Sequence, residues 1–377
     1  MDGGYTKPRV FLFSQRNHRS IMPYLCPHFE FEDIISEIDS VEMLAPRLDL
    51  SQLRYVMAKQ IAYHSPIFLN PGMEKVSLSN SYDLFFAICG SPTELIRVAS
   101  LGDWRSKCRK AVCLIDELWV KEIPAFHYYL RILDKFDLVM LYYSQTVEPL
   151  SKRLGAKCAF LPPGVDAIRF CPYPNPPRRS IDVYSIGRRS EKTHRNLLKM
   201  AGAKGMFYLH DSIAANQVLN AKEHRVLFST IAKRSKYFIV NPGLIDRPDV
   251  RGNQMEIGNR YFEGAAAGSI MLGERPDNSM FEQLFDWPDA VTHLPYNCEE
   301  VEDIIGAIES DPEKQERIRR RNVTEALTRH DWVYRWEAIL RAVGLEPTLA
   351  MGKRKETLAQ LAQITIQSEQ QVQPALI

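Results

Sequence analysis

Apolar residues fall into two patterns along this chain. Short, nearly unbroken apolar runs rich in branched and aromatic residues occur at RVFLFS (9–14), DLFFAIC (83–89), KAVCLID (110–116), DLVMLYYS (137–144) and KCAFLPP (157–163). Runs of that kind predict strands covered on both faces, as in a parallel sheet. Between them, LSQLRYVMAKQIAYHS (50–65), PTELIRVASLG (92–102) and QTVEPLSKRLG (145–155) repeat their apolar residues at helical spacing. Strand and helix in alternation predict an α/β, doubly wound domain over residues 1–170.

The Pro-rich stretch CPYPNPPRRS (171–180) breaks the periodicity and predicts a linker. A second alternating series follows over 181–329. Its strands are expected at IDVYSIG (181–187), GMFYLH (205–210), KYFIVNP (236–242) and AVTHLP (290–295), and its helices near 190–203, 220–234, 299–309 and 312–329. HDWVYRWEAILRAVG (330–344) carries an apolar face of aromatics and leucine, which predicts a helix within 330–345 that bridges both domains. From 346 to 377 the composition shifts to Gln, Ala and Thr, which reads as a weakly ordered tail or a short partner helix. A chain of 377 residues agrees with two domains of roughly 100–200 residues each.

Charge narrows the function class. Forty-eight basic residues against forty-six acidic ones leave a net charge of +2, too even for a dedicated nucleic-acid binder. Small-ligand chemistry is the better expectation. The seven cysteines form no CxxC pair and no Cys/His set at zinc spacing, and their odd number argues against a closed disulfide framework. A reducing, cytoplasmic setting is expected. The start MDGGYTKPRVFLF lacks the flank and apolar core of a signal peptide, and no apolar run reaches the roughly 18 residues of a membrane span. The protein is therefore read as soluble or peripherally attached to a membrane.

In open parallel sheets, ligands collect at the carboxyl ends of the strands. IDVYSIG ends there in Gly187-Arg188-Arg189, with Lys192 close behind at the start of a helix. A glycine permits the tight turn, and the cations suit a phosphate at a helix start; a solvated basic turn is the alternative. A Walker loop is absent. The second feature is NRYFEGAAAGSIMLGE (259–274), a carboxylate followed at once by the smallest residues and then by a short apolar run. Asn259 reads as an N-cap, 260–267 as a helix, Gly268 as its stop and SIML as the next strand. Ala265, Ala266 and Ala267 would let that helix lie close on the sheet. Glu263 could accept hydrogen bonds from the vicinal hydroxyls of a ribose, or merely complement the helix dipole. Arg260 opposes that dipole, so its presence suggests a nearby anion such as a diphosphate. His210 and Asp211, ending GMFYLH, could approach the nucleotide. His127 in the aromatic helix FHYYL reads as a packed residue, and Ser14 to Asn17 as a turn that could line a cleft.

RYFEGAAAG followed by SIMLGE, then helices and RHDWVYRWEAIL, resembles the donor domain of group-1 (family-four-like) glycosyltransferases, closest to their spore-maturation CgeB-like branch. FDLVMLYYSQTVEPLSKRLGAKCAFLPPGVDAIRF (136–170) is similar to that family's segment leading to the linker, and the resemblance covers roughly 110–345. It implies a GT-B fold, two Rossmann-like domains facing one cleft, with a nucleotide-sugar held by the second. Carried over, Gly187, Arg188 and Lys192 would receive the donor diphosphate and Glu263 the ribose. The family's second acid, eight residues before Glu263, is Met255 here, and Glu256 stands one position off. Asp116 and Glu117, following KAVCLID, occupy the strand end where the family places groups near the sugar and acceptor; Asp116 would act on or orient the acceptor hydroxyl, or cap a helix. The sequence contains no DxD motif, which fits a metal-independent site without a cofactor, and the resemblance implies retaining transfer. The implied partners are a nucleotide-sugar and a glycan, lipid-linked or small-molecule acceptor, with no nucleic acid. Two other readings stand beside this one: another GT-B enzyme such as a nucleotide-sugar epimerase, and a transferase-like binding protein without turnover, which Met255 favours.

Overall fold

The structure is a computed structural model and describes residues 7–17, 22–47, 52–76, 78–211 and 218–367. Its strands are β1 (Val10–Phe13), β2 (Val41–Leu44), β3 (Tyr82–Cys89), β4 (Cys108–Ile115), β5 (Leu138–Leu141), β6 (Lys157–Phe160), β7 (Ile181–Ser185), β8 (Tyr208–His210), β9 (Ser235–Val240), β10 (Ile270–Gly273) and β11 (Thr292–His293). The helices of eight residues or more are α1 (Cys26–Ile38), α2 (Gln52–His64), α3 (Glu191–Lys204), α4 (Ala221–Lys233), α5 (Asn259–Ala266), α6 (Val301–Glu309), α7 (Pro312–Arg329), α8 (Trp332–Ala342) and α9 (Leu349–Gln367).

The strands form two sheets, ordered β2-β1-β3-β4-β5-β6 and β11-β10-β9-β7-β8, and every pairing between named strands is parallel. β3 and β4 are buried almost throughout, the condition that makes such strands read as unbroken apolar runs. Within each sheet the first strand lies between the second and the third, so the winding direction reverses at β1/β3 and again at β7/β9. Those reversals open crevices at the carboxyl ends of the strands, and ligands of such sheets lie there.

Two elements escape the periodicity reading. In α1, CPHFEFEDIISEI, acids alternate with phenylalanines over the first half, which matches neither a helix nor a half-buried strand cleanly. Glu30 and Glu32 are nevertheless buried, because charged partners from other elements meet them. The neighbouring β2 is only four residues long and lies at a sheet edge.

The tail is decided between its two readings. Of the two expectations for 346–377, a weakly ordered tail or a short partner helix, the helix holds over Leu349–Gln367, 19 residues, and 368–377 lie outside the described residues. Met351, Leu358, Ala362 and Thr365 make its buried stripe. Arg354 joins Asp331 at 2.8 Å and Asp166 at 2.7 Å, which ties α9 to the segments before α8 and after β6. Polar composition hid that stripe, since its few apolar positions are widely spaced.

α8 lies between the domains. Its Trp332 ring stacks on Phe31 of α1 at 4.6 Å, and Trp336 donates its indole N–H to Asp39 at 2.8 Å. On the other side, Arg335 of α8 lies over the Phe262 ring of α5, and His330, just before α8, meets that ring edge-on at 5.0 Å. A Cβ on Gly164 would sit 2.6 Å from the Trp332 ring, so only glycine allows the chain after β6 to pass this close.

Candidate active site

The crevice at the second reversal is built from the turn after β7. Gly187 takes φ +89°, the left-handed region that glycine favours. Ser190 caps α3, accepting from the N–H groups of Lys192 and Thr193, both at 3.2 Å. The cations around this turn all have acidic neighbours. Arg188 reaches Asp246 at 3.2 Å, Arg189 reaches Asp211 at 3.0 Å, and Lys192 pairs with Glu299 on the surface. Ser185, Arg189, His194, Tyr208, Asn241 and Tyr296 line a small hollow beside it. His210 borders this group as a half-buried ring, 4.7 Å edge-on from His194 and 4.9 Å from Tyr208.

Glu263 departs from its expected role. Its carboxylate is fully buried, with one oxygen on Arg225 of α4 and the other on Arg260. Burial alone would raise its pKa, but the two guanidinium groups hold it below the ordinary carboxylate value. Both oxygens are occupied and no surface is offered to a ribose. Arg260, read as the sign of a nearby anion, has that anion three residues along its own helix. Arg225 continues the chain of charges across the domain boundary to Glu30 of α1, at 2.7 and 3.1 Å. Glu30 accepts further from the Trp332 indole and from the backbone N–H of Asp166, each at 2.9 Å. Asn259 is likewise not the cap: Gly258 precedes the helix, no side chain caps it, and Asn259 is its first residue. The run of small residues does place α5 close to the sheet. Ala265, Ala266 and Ala267 are buried, and a Cβ on Gly264 would fall 2.8 Å from Phe238 and 2.9 Å from Met271.

Across the cleft, Asp116 and Glu117 follow the end of β4. Asp116 is partly exposed and accepts from His28 of α1 at 2.8 Å, while the His28 ring is almost wholly buried. Burial works against charge on His28, but Asp116, its hydrogen bond, and the more distant Glu94 and Glu32 raise its pKa above the ordinary value. Glu117 accepts from the Trp119 indole at 2.9 Å; burial raises its pKa, with Arg188 among the groups opposing that rise. Arg188 thus acts electrostatically on the first domain as well as on Asp246. His28 was not legible from the sequence, because α1 itself was not.

A second missed feature is the loop before α5. Gln254 accepts from the Val120 N–H at 3.0 Å, and Glu256 accepts from the N–H groups of Ser144 and Gln145, each at 3.0 Å. Glu256 is buried and also held by Gln254 and Asn278. Burial pushes its pKa up against those hydrogen bonds. The acid one position from Met255 therefore caps the turn after β5 in the first domain, where exposed backbone N–H groups attract a carboxylate.

Residues 228–341 match the family model described as Glycosyl transferase-like. Among solved structures, the chain is similar to an alpha-glucosyltransferase in complex with UDP-glucose and DNA containing an abasic site, with 11% identity, TM-score 0.53, and coverage of 89% of this chain and 99% of that one. It is similar too to alpha-glucosyltransferase (AGT) in complex with UDP, at 10% identity and TM-score 0.52, over 90% of this chain and 100% of that one. The fold is GT-B. Anabaena Alr3699/HepE in complex with UDP-glucose matches at 11% identity and TM-score 0.48, covering 89% of this chain and 99% of that one. No curated protein matches the chain by sequence. In GT-B terms, the match to the family model lies mostly in the second domain and takes in α5 and the Glu263 segment. Among the described residues, no helix is long and apolar enough to cross a membrane.

Proposed function

We propose that this chain transfers a sugar from a nucleotide-sugar to an acceptor hydroxyl. The observation that supports the reading is the glycosyl transferase-like match over 228–341 within a GT-B fold, and Gly187, Arg188 and Arg189 stand in the turn after β7, at the second reversal point. Arg188 and Lys192 would leave Asp246 and Glu299 for the donor diphosphate, whose departure they stabilise as charge develops on it. His210 borders the nucleotide side. Asp116, oriented by His28, would receive or position the acceptor hydroxyl, with Glu117 beside it. UDP and UDP-glucose in the similar alpha-glucosyltransferase structures favour a UDP-sugar as the first donor to test. We further propose a CgeB-like transferase with retaining, metal-independent chemistry, working in the cytoplasm on cell-surface polysaccharide or glycoconjugate acceptors. The resemblance of RYFEGAAAG and the absence of DxD support that finer reading.

A thermal-shift series with UDP-, GDP-, ADP- and TDP-sugars tests donor binding. The correct donor at 100 times its Kd adds about 2.7 kcal/mol to apparent stability; no shift with any of them would refute the reading. Met255, standing where the family's second acid is expected, favours one second reading, a GT-B protein that binds nucleotide without turnover. Release of nucleoside diphosphate from the stabilising donor, with and without acceptor extracts, separates the two.

A further inference from the structure

We propose that Arg97 binds an oxyanion, a carboxylate or phosphate carried by the acceptor, at the first reversal point. Arg97 stands on the five-residue helix Leu95–Ala99 and is 2% exposed. Its Nη1 donates to Gln15 Oε1 at 2.5 Å, and the Glu94 carboxylate lies 3.7 Å from the same nitrogen, beyond hydrogen-bonding distance. Nε is buried without a partner among the described residues, and Nη2 donates to none of them. The comparably buried Arg225 and Arg335 each reach partners from all three nitrogens. A buried donor left open calls for a cause, and a ligand supplies one. Nε and Nη2 form the edge of a guanidinium that grips a carboxylate or phosphate through two parallel hydrogen bonds. Tyr55 of α2 covers one face of the group at 5.7 Å, so an anion meets it edge-on.

The fold sets this edge beside Asp116. Gln15 lies in the turn after β1 and donates to the carbonyl of Ile88 at 3.0 Å, near the end of β3. Glu94 accepts from the Gly90 N–H at 2.7 Å, and the Gly90 carbonyl accepts from the Glu117 N–H at 3.1 Å. The turns after β1, β3 and β4 are thus one bonded unit, with Arg97 on one side and Asp116 on the other. Neighbouring strands lie about 4.8 Å apart, so β1 and β4, with β3 between them, stand about 10 Å apart, room for one sugar ring. The Glu94 and Asp116 side chains are 20% and 18% exposed, so the crevice they border meets solvent. The inference rests on the transferase reading and names its acceptor class: a sugar whose acidic group, as in a uronic acid or a sugar phosphate, pairs with Arg97 while a hydroxyl across the ring meets Asp116.

Calorimetric titration of the full chain with glucuronic acid, glucose 6-phosphate, glucose and inorganic phosphate tests the site without any sugar transfer. The two acidic sugars are expected to bind at least about tenfold more tightly than glucose, and less tightly as salt is added. Arg97→Gln should weaken them roughly 10- to 100-fold, the worth of charge-assisted hydrogen bonds, and leave any binding of glucose unchanged. Arg97→Lys keeps the charge without the fork and should fall between. Should Arg97→Gln fail to fold, Arg97→Lys and the comparison of ligands on the unaltered chain still decide. Equal binding of glucose and the acidic sugars, or acidic-sugar affinity indifferent to both substitutions, overturns the proposal. Inorganic phosphate that binds as tightly as glucose 6-phosphate also overturns it, since the site would then take a free anion. The donor thermal-shift series on the same protein separates the two readings. A donor shift without acidic-sugar binding removes this acceptor class and keeps the transferase, whereas acidic-sugar binding through Arg97 with no donor shift keeps the site and removes the reaction.

Discussion

At the scale of single residues, opposite consequences attach to buried and exposed arginines. Arg225 is enclosed between Glu30 and Glu263. Arg225→Ala would leave Glu263 with Arg260 as its one cation and remove the closest cation from Glu30, and losing one partner of a buried pair costs about 3–5 kcal/mol. Urea denaturation should show that loss as a lower midpoint. Arg188 is exposed beside Asp246. Arg188→Ala should change stability by less than about 0.5 kcal/mol, yet weaken nucleoside diphosphate binding in calorimetric titration; unchanged affinity would remove Arg188 from the donor site. His28 supplies a pH test. Its folded-state pKa is raised above the unfolded value of about 6.5, so its pairing with Asp116 stabilises the fold fully below that value. That contribution disappears as pH rises through the raised pKa. His28→Gln should therefore lower Tm more at pH 6 than at pH 9, and a difference independent of pH would show that His28 acts by packing alone.

At the scale of elements, α5 is placed by volume rather than by its cap. Gly264 leaves no room between the helix and Phe238 and Met271 on β9 and β10. Gly264→Val should force α5 off the sheet and cost about 1–3 kcal/mol as overpacking, read as a fall in the urea midpoint. The same substitution at Gly202, where a Cβ would meet nothing within 4 Å, should leave that midpoint nearly unchanged. α9 is an element in the same sense. Its Arg354 neutralises Asp331 and Asp166 together, and Asp331 also caps α8 through the N–H of Val333 at 2.9 Å.

At the scale of the molecule, two domains meet through Glu30–Arg225, through Glu256 on the turn after β5, and through α8. With 171–180 as hinge, donor binding should close the cleft further, and small-angle scattering should report a smaller radius with the correct donor. An equal radius at saturation would place the closure in the unliganded state. If the diphosphate is neutralised by Arg188 and Lys192, transfer should also survive EDTA. Complete loss restored by magnesium would overturn the metal-independent reading.

What the sequence determined by itself was set by backbone period and solvent. Parallel strands buried on both faces must be apolar, so the runs from DLFFAIC to KYFIVNP announced both sheets before any contact was known. The left-handed turn at Gly187 and the close packing of α5 followed in the same way from glycine and alanine, because one residue's size constrains its own neighbourhood. Arg260 and Glu263 were read separately, toward a diphosphate and a ribose, whereas three residues apart on one helix they pair with each other. The tertiary structure alone decided that Glu263 faces Arg225, 38 residues away, and that Arg225 faces Glu30, 195 residues away. It also decided that His28 meets Asp116, and that Glu256 caps a turn in the other domain. Those pairings depend on which elements collapse against one another, and no period along the chain encodes the partner of a charge brought in from a different fold layer.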